Sequence, residues 1–185
     1  NYINTELKYI RKKREIKMAN YFTSDWHLGH KVITKYRSQF KTIEEHDNAI
    51  FAEAEKLTKR DIIFVLGDFL FDCDKFEYYL ERISKLPCRI KLVMGNHDSI
   101  KLYSQTIAKN VEIQLPLYTY KSFWISHCPI HPDELRERFG NITGHLHGNI
   151  ILKNNKPDKR YYDVGLDNNN FKFIKWEDIL LYFNL

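Results

Sequence analysis

Leu92-Val93-Met94-Gly95-Asn96-His97-Asp98 is an apolar run of strand type that stops at a glycine and is followed at once by three polar side chains. A buried strand delivers chemistry in this way to the carboxyl end of a sheet, where open α/β sheets place their ligands. The arrangement recurs at Tyr21-Phe22-Thr23-Ser24-Asp25-Trp26-His27 and at Ile62-Ile63-Phe64-Val65-Leu66-Gly67-Asp68. It returns at Phe123-Trp124-Ile125-Ser126-His127 and at Ile142-Thr143-Gly144-His145-Leu146-His147. A single histidine at a strand end is usually a core or surface residue. Five ends that carry Asp, His or Asn and almost no other polar type mark a metal site.

Between these blocks the pattern alternates β and α first and turns mostly to strands later. Asn20–Ser24 reads as a strand, and a spacing of two puts Asp25 and His27 on one side of an extended segment. Val32–Tyr36 and Thr42–Lys59 read as helical, the second opening with the capping-box pattern Thr42-Ile43-Glu44-Glu45 and carrying an apolar stripe. His46 falls on the solvent side of that helix in this reading. Asp61–Gly67 and Arg89–Met94 are strands, Asp74–Leu86 and Asp98–Ala108 helices, and Ser122–Ser126 and Asn141–Thr143 strands, with a short helix from Pro132. Asn149–Lys153 and Arg160–Gly165 read as a hairpin across Asn154-Asn155-Lys156-Pro157. A short strand at Phe171–Phe173 and a helix at Trp176–Phe183 follow. The expected architecture is α/β: two packed mixed sheets flanked by helices, not a simple doubly wound sheet.

A chain of 185 residues, 43% apolar and 29% charged, is long enough to bury a real core and has the balance of an ordinary globular domain. The net charge of +5 is unevenly placed: residues 1–17 hold six basic side chains against two acidic ones. We therefore read 1–17 as a basic amino-terminal extension and 18–185 as a single domain whose own surface is not basic. Cys73, Cys88 and Cys128 form no CxxC pair, which argues for free thiols in a reducing compartment. No apolar run approaches the roughly 20 residues of a membrane span, and no secretory signal is visible, so the cytoplasm is expected.

Taken in order, Asp25-x-His27, Gly67-Asp68, Gly95-Asn96-His97-Asp98, His127 and Gly144-His145-x-His147 resemble the calcineurin-like metallophosphoesterase superfamily. The resemblance runs from about Asn20 to the carboxyl terminus. It is greatest to the small single-domain enzymes of bacteria and phages, which open with a similar Ser-Asp-x-His-x-Gly-His block. It implies a four-layer αββα sandwich in which Asp25, His27, Asp68 and His147 hold one metal and Asp68, Asn96, His127 and His145 hold another. A carboxylate suits the shared role at the roughly 3.5–4 Å separation of two-metal phosphoryl sites. Imidazole and carboxylate without thiolate favour manganese, iron, zinc or nickel over soft metals, and the family favours Mn²⁺.

By the same resemblance His97 lies near the leaving group, as acid or as transition-state stabiliser. Asp98 either orients it or caps the following helix. His30 is a candidate substrate contact, or a supporting or surface residue. Arg37 is a candidate phosphate contact, or a solvated surface arginine. Cys128 and His131 flank His127 but match no ligand position. The block Gly67-Asp68-Phe69-Leu70-Phe71-Asp72 lacks the arginine of the protein serine/threonine phosphatases, which points to the phosphodiesterase-like branch. The short gap from Asp98 to His127 leaves no room for a cap domain, so an open site is expected. The implied activity is hydrolysis of a nucleotide or other small phosphodiester by a metal-bridging hydroxide. A nuclease acting on single-stranded or damaged nucleic acid is the alternative, and a non-catalytic protein-binding scaffold fits poorly because every ligand position is filled.

Overall fold

Ile62–Leu66 (β2) carries no polar side chain because both of its faces are covered, as in parallel sheets generally. The computed structural model describes residues 18–71, 73–98 and 109–185. In it β2 is the centre of a five-stranded sheet. Asn20–Thr23 (β1) and Arg89–Val93 (β3) flank β2 in parallel, and Val111–Ile113 (β4) continues beyond β3. Leu117–Tyr120 (β5), Phe123–Ser126 (β6) and Gly140–Thr143 (β7) belong to a second sheet, with β6 and β7 parallel and β5 an antiparallel edge. Leu152–Lys153 (β8) and Lys156–Pro157 (β9) make a separate ribbon. Tyr161–Asp163 (β10) joins β7 in parallel, and Ile174–Lys175 (β11) closes the first sheet antiparallel to β1. The chain thus forms the two mixed sheets with helices expected of it.

Strand alternation decides what each face meets. Phe22, Ile62, Phe64, Leu66 and Val93 turn toward Phe123, Ile125 and Ile142 of the second sheet. Ile63, Val65, Ile90 and Leu92 turn the other way, onto the helices Ile43–Ala54 (α1) and Phe76–Ser84 (α2). A third helix, Trp176–Tyr182 (α3), sends Trp176 and Ile179 into the cluster between the sheets. Among the described residues no helix is long and apolar enough to cross a membrane.

Several boundaries differ from the expected ones. The helix from Thr42 ends at Ala54, short of Lys59, although Thr42 does cap it by accepting from the Glu45 N–H at 3.1 Å. Ile33–Lys35 is one 3₁₀ turn, and so is Pro132–Leu135. The hairpin is tighter than expected, β8 with β9 across Asn154-Asn155, which frees Tyr161–Asp163 to pair with β7. The last short strand is Ile174–Lys175, not Phe171–Phe173, because Ile174 is the residue that pairs with Phe22. Residues 1–17 and the helix read over Asp98–Ala108 lie outside the described residues, apart from Asp98 itself.

Candidate metal centre

Parallel strands end on the same side, so β1, β2 and β3 deliver Asp25, Asp68 and Asn96 to one edge of the first sheet. Strands β6 and β7 deliver His127, His145 and His147 to the matching edge of the second. The edges are stitched together. Asp25 N–H donates to the Gly67 carbonyl at 3.0 Å, His27 N–H to Asp68 at 2.8 Å, and Gly144 N–H to His127 at 3.0 Å. The His145 N–H donates to the Asp25 carboxylate at 2.9 Å, joining one sheet's motif to the other's.

Five of the seven expected ligand residues have a left-handed backbone: Asp25 (φ 60°), His27 (49°), Asp68 (51°), His145 (73°) and His147 (46°). Asp and His tolerate that region better than most residues, yet each such residue costs about 1–3 kcal/mol, a strain that concentrates at functional sites. Glycine makes the crowding possible. Gly67 has φ 92°, and a side-chain carbon there would strike the His127 ring; one at Gly95 would strike Asp68.

The structure brings Asp25, His27, Asp68 and His147 together, with one ligand atom from each within 4.8 Å of the others. His27 Nε2 lies 3.2 Å from His147 Nε2 and 3.5 Å from Asp68 Oδ2, and His147 Nε2 lies 3.8 Å from Asp25 Oδ1. Beside this cluster, His127 Nε2 is 3.0 Å from Asn96 Oδ1, 3.2 Å from His145 Nδ1 and 3.4 Å from Asp68 Oδ1. Asp68 faces both groups, one oxygen to each.

These residues fit divalent cations. Asp68 Oδ2 is buried and receives no hydrogen bond, a costly state for a carboxylate oxygen unless a cation meets it. His127 Nδ1 can only donate to the Leu66 carbonyl at 2.7 Å, which turns the Nε2 lone pair toward the oxygens of Asn96 and Asp68. Burial depresses His27 to about 3, which keeps it in the neutral form that ligates. In the metal-free chain a protonated His127 donates from Nε2 as well; burial works to raise Asp68, but that hydrogen bond and charge, with the His97 N–H, outweigh it and hold the carboxyl at about 2.

The other expected residues divide. His97 is exposed at the rim, its ring 5.5 Å from that of His27, and its N–H donates to Asp68 Oδ1 at 2.9 Å. The His30 ring stacks on Phe71 at 4.3 Å and sits 6.2 Å from His97. Asp98 does a different job from orienting His97. Its carboxylate accepts the N–H groups of Phe69 at 2.6 Å, Leu70 at 3.0 Å and Gly95 at 2.7 Å, bracing the β2 and β3 loops against each other.

Arg37 is neither a phosphate contact nor a surface residue. It is 2% exposed, and all three of its nitrogens are engaged by Asp167, His46 and the Asp25 carbonyl. His46 is likewise fully buried, between Arg37 and Asp47, where the sequence reading set it in solvent. Asp167 has no place in the sequence reading, and Cys128 stands there only as a neighbour of His127 that matches no ligand position. Asp167 accepts from His147 Nδ1 at 3.0 Å, and its signal was Val164-Gly165-Leu166-Asp167, a sixth strand stopping at glycine before an acid. Cys128 Sγ lies within 4.8 Å of ring nitrogens of His127 and His145.

Comparison with known proteins shows the family. The family model for calcineurin-like phosphoesterases matches residues 20–181. The Gene 66 protein of Mycobacterium phage L5 is 28% identical, over 81% of this chain and 87% of its own length. A Coxiella burnetii protein named as a probable cyclic nucleotide phosphodiesterase is 30% identical over 94 residues, which are 50% of this chain and 36% of that protein. The crystal structure of a protein from Aquifex aeolicus superposes with a TM-score of 0.67 at 26% identity, covering 88% of this chain and 98% of that one. All five strand-end blocks fall inside the matched residues, and the chain belongs to the calcineurin-like phosphoesterase family.

Proposed function

We propose that the protein is a metal-dependent phosphodiesterase acting on a nucleotide or other small phosphodiester. The observation that carries this is Asp68, with one oxygen 3.5 Å from His27 and the other 3.4 Å from His127, between two convergent sets of lone pairs. Asp25, His27, Asp68 and His147 would hold one cation, and Asp68, Asn96, His127 and His145 the other. Bound there, two divalent ions supply activated water at neutral pH and neutralise phosphoryl oxygens. The oxygen and imidazole donors suit Mn²⁺, with iron, zinc or nickel as further candidates.

The chain's own contribution is alignment and a proton. Asp98 fixes the loops that present Asp68 and Asn96. His97, exposed at the rim and tied to Asp68 through its backbone, would offer its ring to a leaving oxygen. His30, flat on Phe71 beside it, lines the approach of substrate. The partial likeness to a protein named as a probable cyclic nucleotide phosphodiesterase supports the diester reading. Free thiols at Cys73, Cys88 and Cys128 suit a reducing compartment such as the cytoplasm.

The test contrasts leaving groups. An alkoxide needs a proton to depart and a nitrophenolate needs little help. His97→Ala should lose rate on a nucleotide diester by up to the roughly 10²–10⁴-fold of general acid catalysis, and far less on bis-nitrophenyl phosphate, with metal retained. Asn96→Ala should lose both rates alike and bind metal weakly. Equal losses for His97→Ala on both substrates would take the acid role from His97. Failure of the parent, loaded with Mn²⁺, to turn over any of a panel of cyclic nucleotides, dinucleotides and oligonucleotides would defeat the diesterase reading.

A further inference from the structure

Arg37 forks onto Asp167, Nε to Oδ1 at 2.9 Å and Nη2 to Oδ2 at 2.8 Å. Nη2 also donates to the Asp25 carbonyl at 2.7 Å, and Nη1 to His46 Nε2 at 2.7 Å. A guanidinium has only donors, so His46 Nε2 accepts and the His46 proton sits on Nδ1, which donates to Asp47 at 2.7 Å. Asp47 Oδ2 in turn accepts the Tyr79 hydroxyl at 2.6 Å. On the other side, Asp167 Oδ2 accepts from His147 Nδ1 at 3.0 Å. The chain of hydrogen bonds therefore runs without a break from Tyr79 on α2 to His147 in the metal centre.

Three features say that this network acts on the site as well as on the fold. The Asp167 carboxylate can only accept, so it sets the His147 proton on Nδ1 and aims the Nε2 lone pair at Asp25, His27 and Asp68. His27 has no such partner, since its Nδ1 is buried without a hydrogen bond. The same guanidinium nitrogen also pins the Asp25 carbonyl, at a residue held at φ 60°. Asp25 follows β1 of one sheet and Asp167 follows β10 of the other, so the fork fastens a ligand loop of the first sheet to the residue that holds His147 in the second.

We propose that Asp167 and Arg37 are positioning residues: the Arg37–Asp167 fork fixes the His147 tautomer and holds the Asp25 and His147 loops together, so that this metal position is formed before a cation arrives. The inference rests on the metal-dependent reading above. Neither residue touches substrate. Bidentate geometry and charge both matter, which is why arginine and aspartate are used here in place of a looser pair.

Calorimetric titration of the metal-stripped full chain with Mn²⁺ tests it. Asp167→Ala should weaken one of the two positions by about 10–100-fold and leave the other near the parent value. Asp167→Asn keeps an oxygen for His147 Nδ1 and should recover part of the loss; should Asp167→Ala fail to fold, it carries the comparison alone. Long-range ¹H–¹⁵N imidazole spectra of the metal-free protein, taken where the ring is neutral, should show Nδ1–H at His147 in the parent and Nε2–H gaining in Asp167→Ala. A His147 tautomer unmoved by Asp167→Ala overturns the proposal. So does an affinity loss shared equally by both positions with a lowered melting temperature, which is what a merely structural ion pair would give. A parent that binds no Mn²⁺ defeats the metal reading instead, while the spectra still decide what Asp167 does to His147.

Discussion

Asp68 is the residue on which the two ligand groups depend. Its Oδ2 is buried with no donor, and its Oδ1 shares the His97 N–H while facing His127. Replacing one oxygen by an amide should therefore hurt both positions. Asp68→Asn is expected to lower metal content toward zero, whereas His147→Ala, whose ring serves one side, should leave about one metal per chain. Elemental analysis after Mn²⁺ loading reads the difference, and a parent that never exceeds one metal per chain would end the dinuclear reading. Cys128 adds a feature absent from the expected donor set. With its sulfur within 4.8 Å of His127 and His145, Co²⁺ loading should give a thiolate charge-transfer band in the near ultraviolet that Cys128→Ser lacks. Equal spectra for parent and variant would show that the thiol stays off the metal.

At the scale of elements, the strand ends were the most legible part of the molecule. A run such as Ile62–Leu66 admits few alternatives once its apolar length and closing Gly67-Asp68 are seen, and the structure ends β1, β2, β3, β6 and β7 where those blocks begin. Long-range pairing was hidden. Asn154-Asn155 signals a local turn, but nothing in the sequence says that Tyr161–Asp163 leaves the ribbon to lie parallel to β7. That pairing is what brings Asp167 to His147, so the fold error and the missed residue have one cause. The burial of Arg37 is hidden from the sequence for a related reason. Arginine is almost never buried unless paired, and its partner lay 130 residues away.

A junction between elements also carries a pH-dependent contribution to stability. Asp61, ahead of β2, accepts the Ala19 N–H at 3.0 Å and both the N–H and hydroxyl of Thr58 at 2.8 Å. Burial works to raise its carboxyl, but these hydrogen bonds together hold it below the usual range. A carboxylate with a depressed folded pKa gives stability that is present above its unfolded value of about 4 and is lost as pH falls through the folded value. Asp61→Asn should thus cost stability at pH 7 and progressively less as pH falls below about 4, in urea titrations of the metal-free protein. Parallel stability curves would show that Asp61 is not a source of that dependence.

For the whole molecule, charge is distributed in a way the fold does not require. Residues 1–17 hold six basic side chains against two acidic ones, and the rest of the chain is close to balance despite a net charge of +5. The ligand blocks all lie beyond that segment. At 0.1 M salt the Debye length is about 10 Å, so a small diester responds only to charges near the metal centre. An oligonucleotide spans many phosphates and can also meet a cationic stretch outside the ligand blocks, releasing counterions with a slope of about −0.7 per phosphate neutralised on a single strand. Deleting residues 1–17 should then leave kcat/KM for bis-nitrophenyl phosphate near the parent value. If the physiological substrate is nucleic acid, the deletion should weaken oligonucleotide binding and flatten its dependence on salt. A deletion that removes turnover of the small diester would show that the segment belongs to the fold or the site. A deletion that leaves the salt slope for oligonucleotides unchanged would show that the basic residues meet no phosphate.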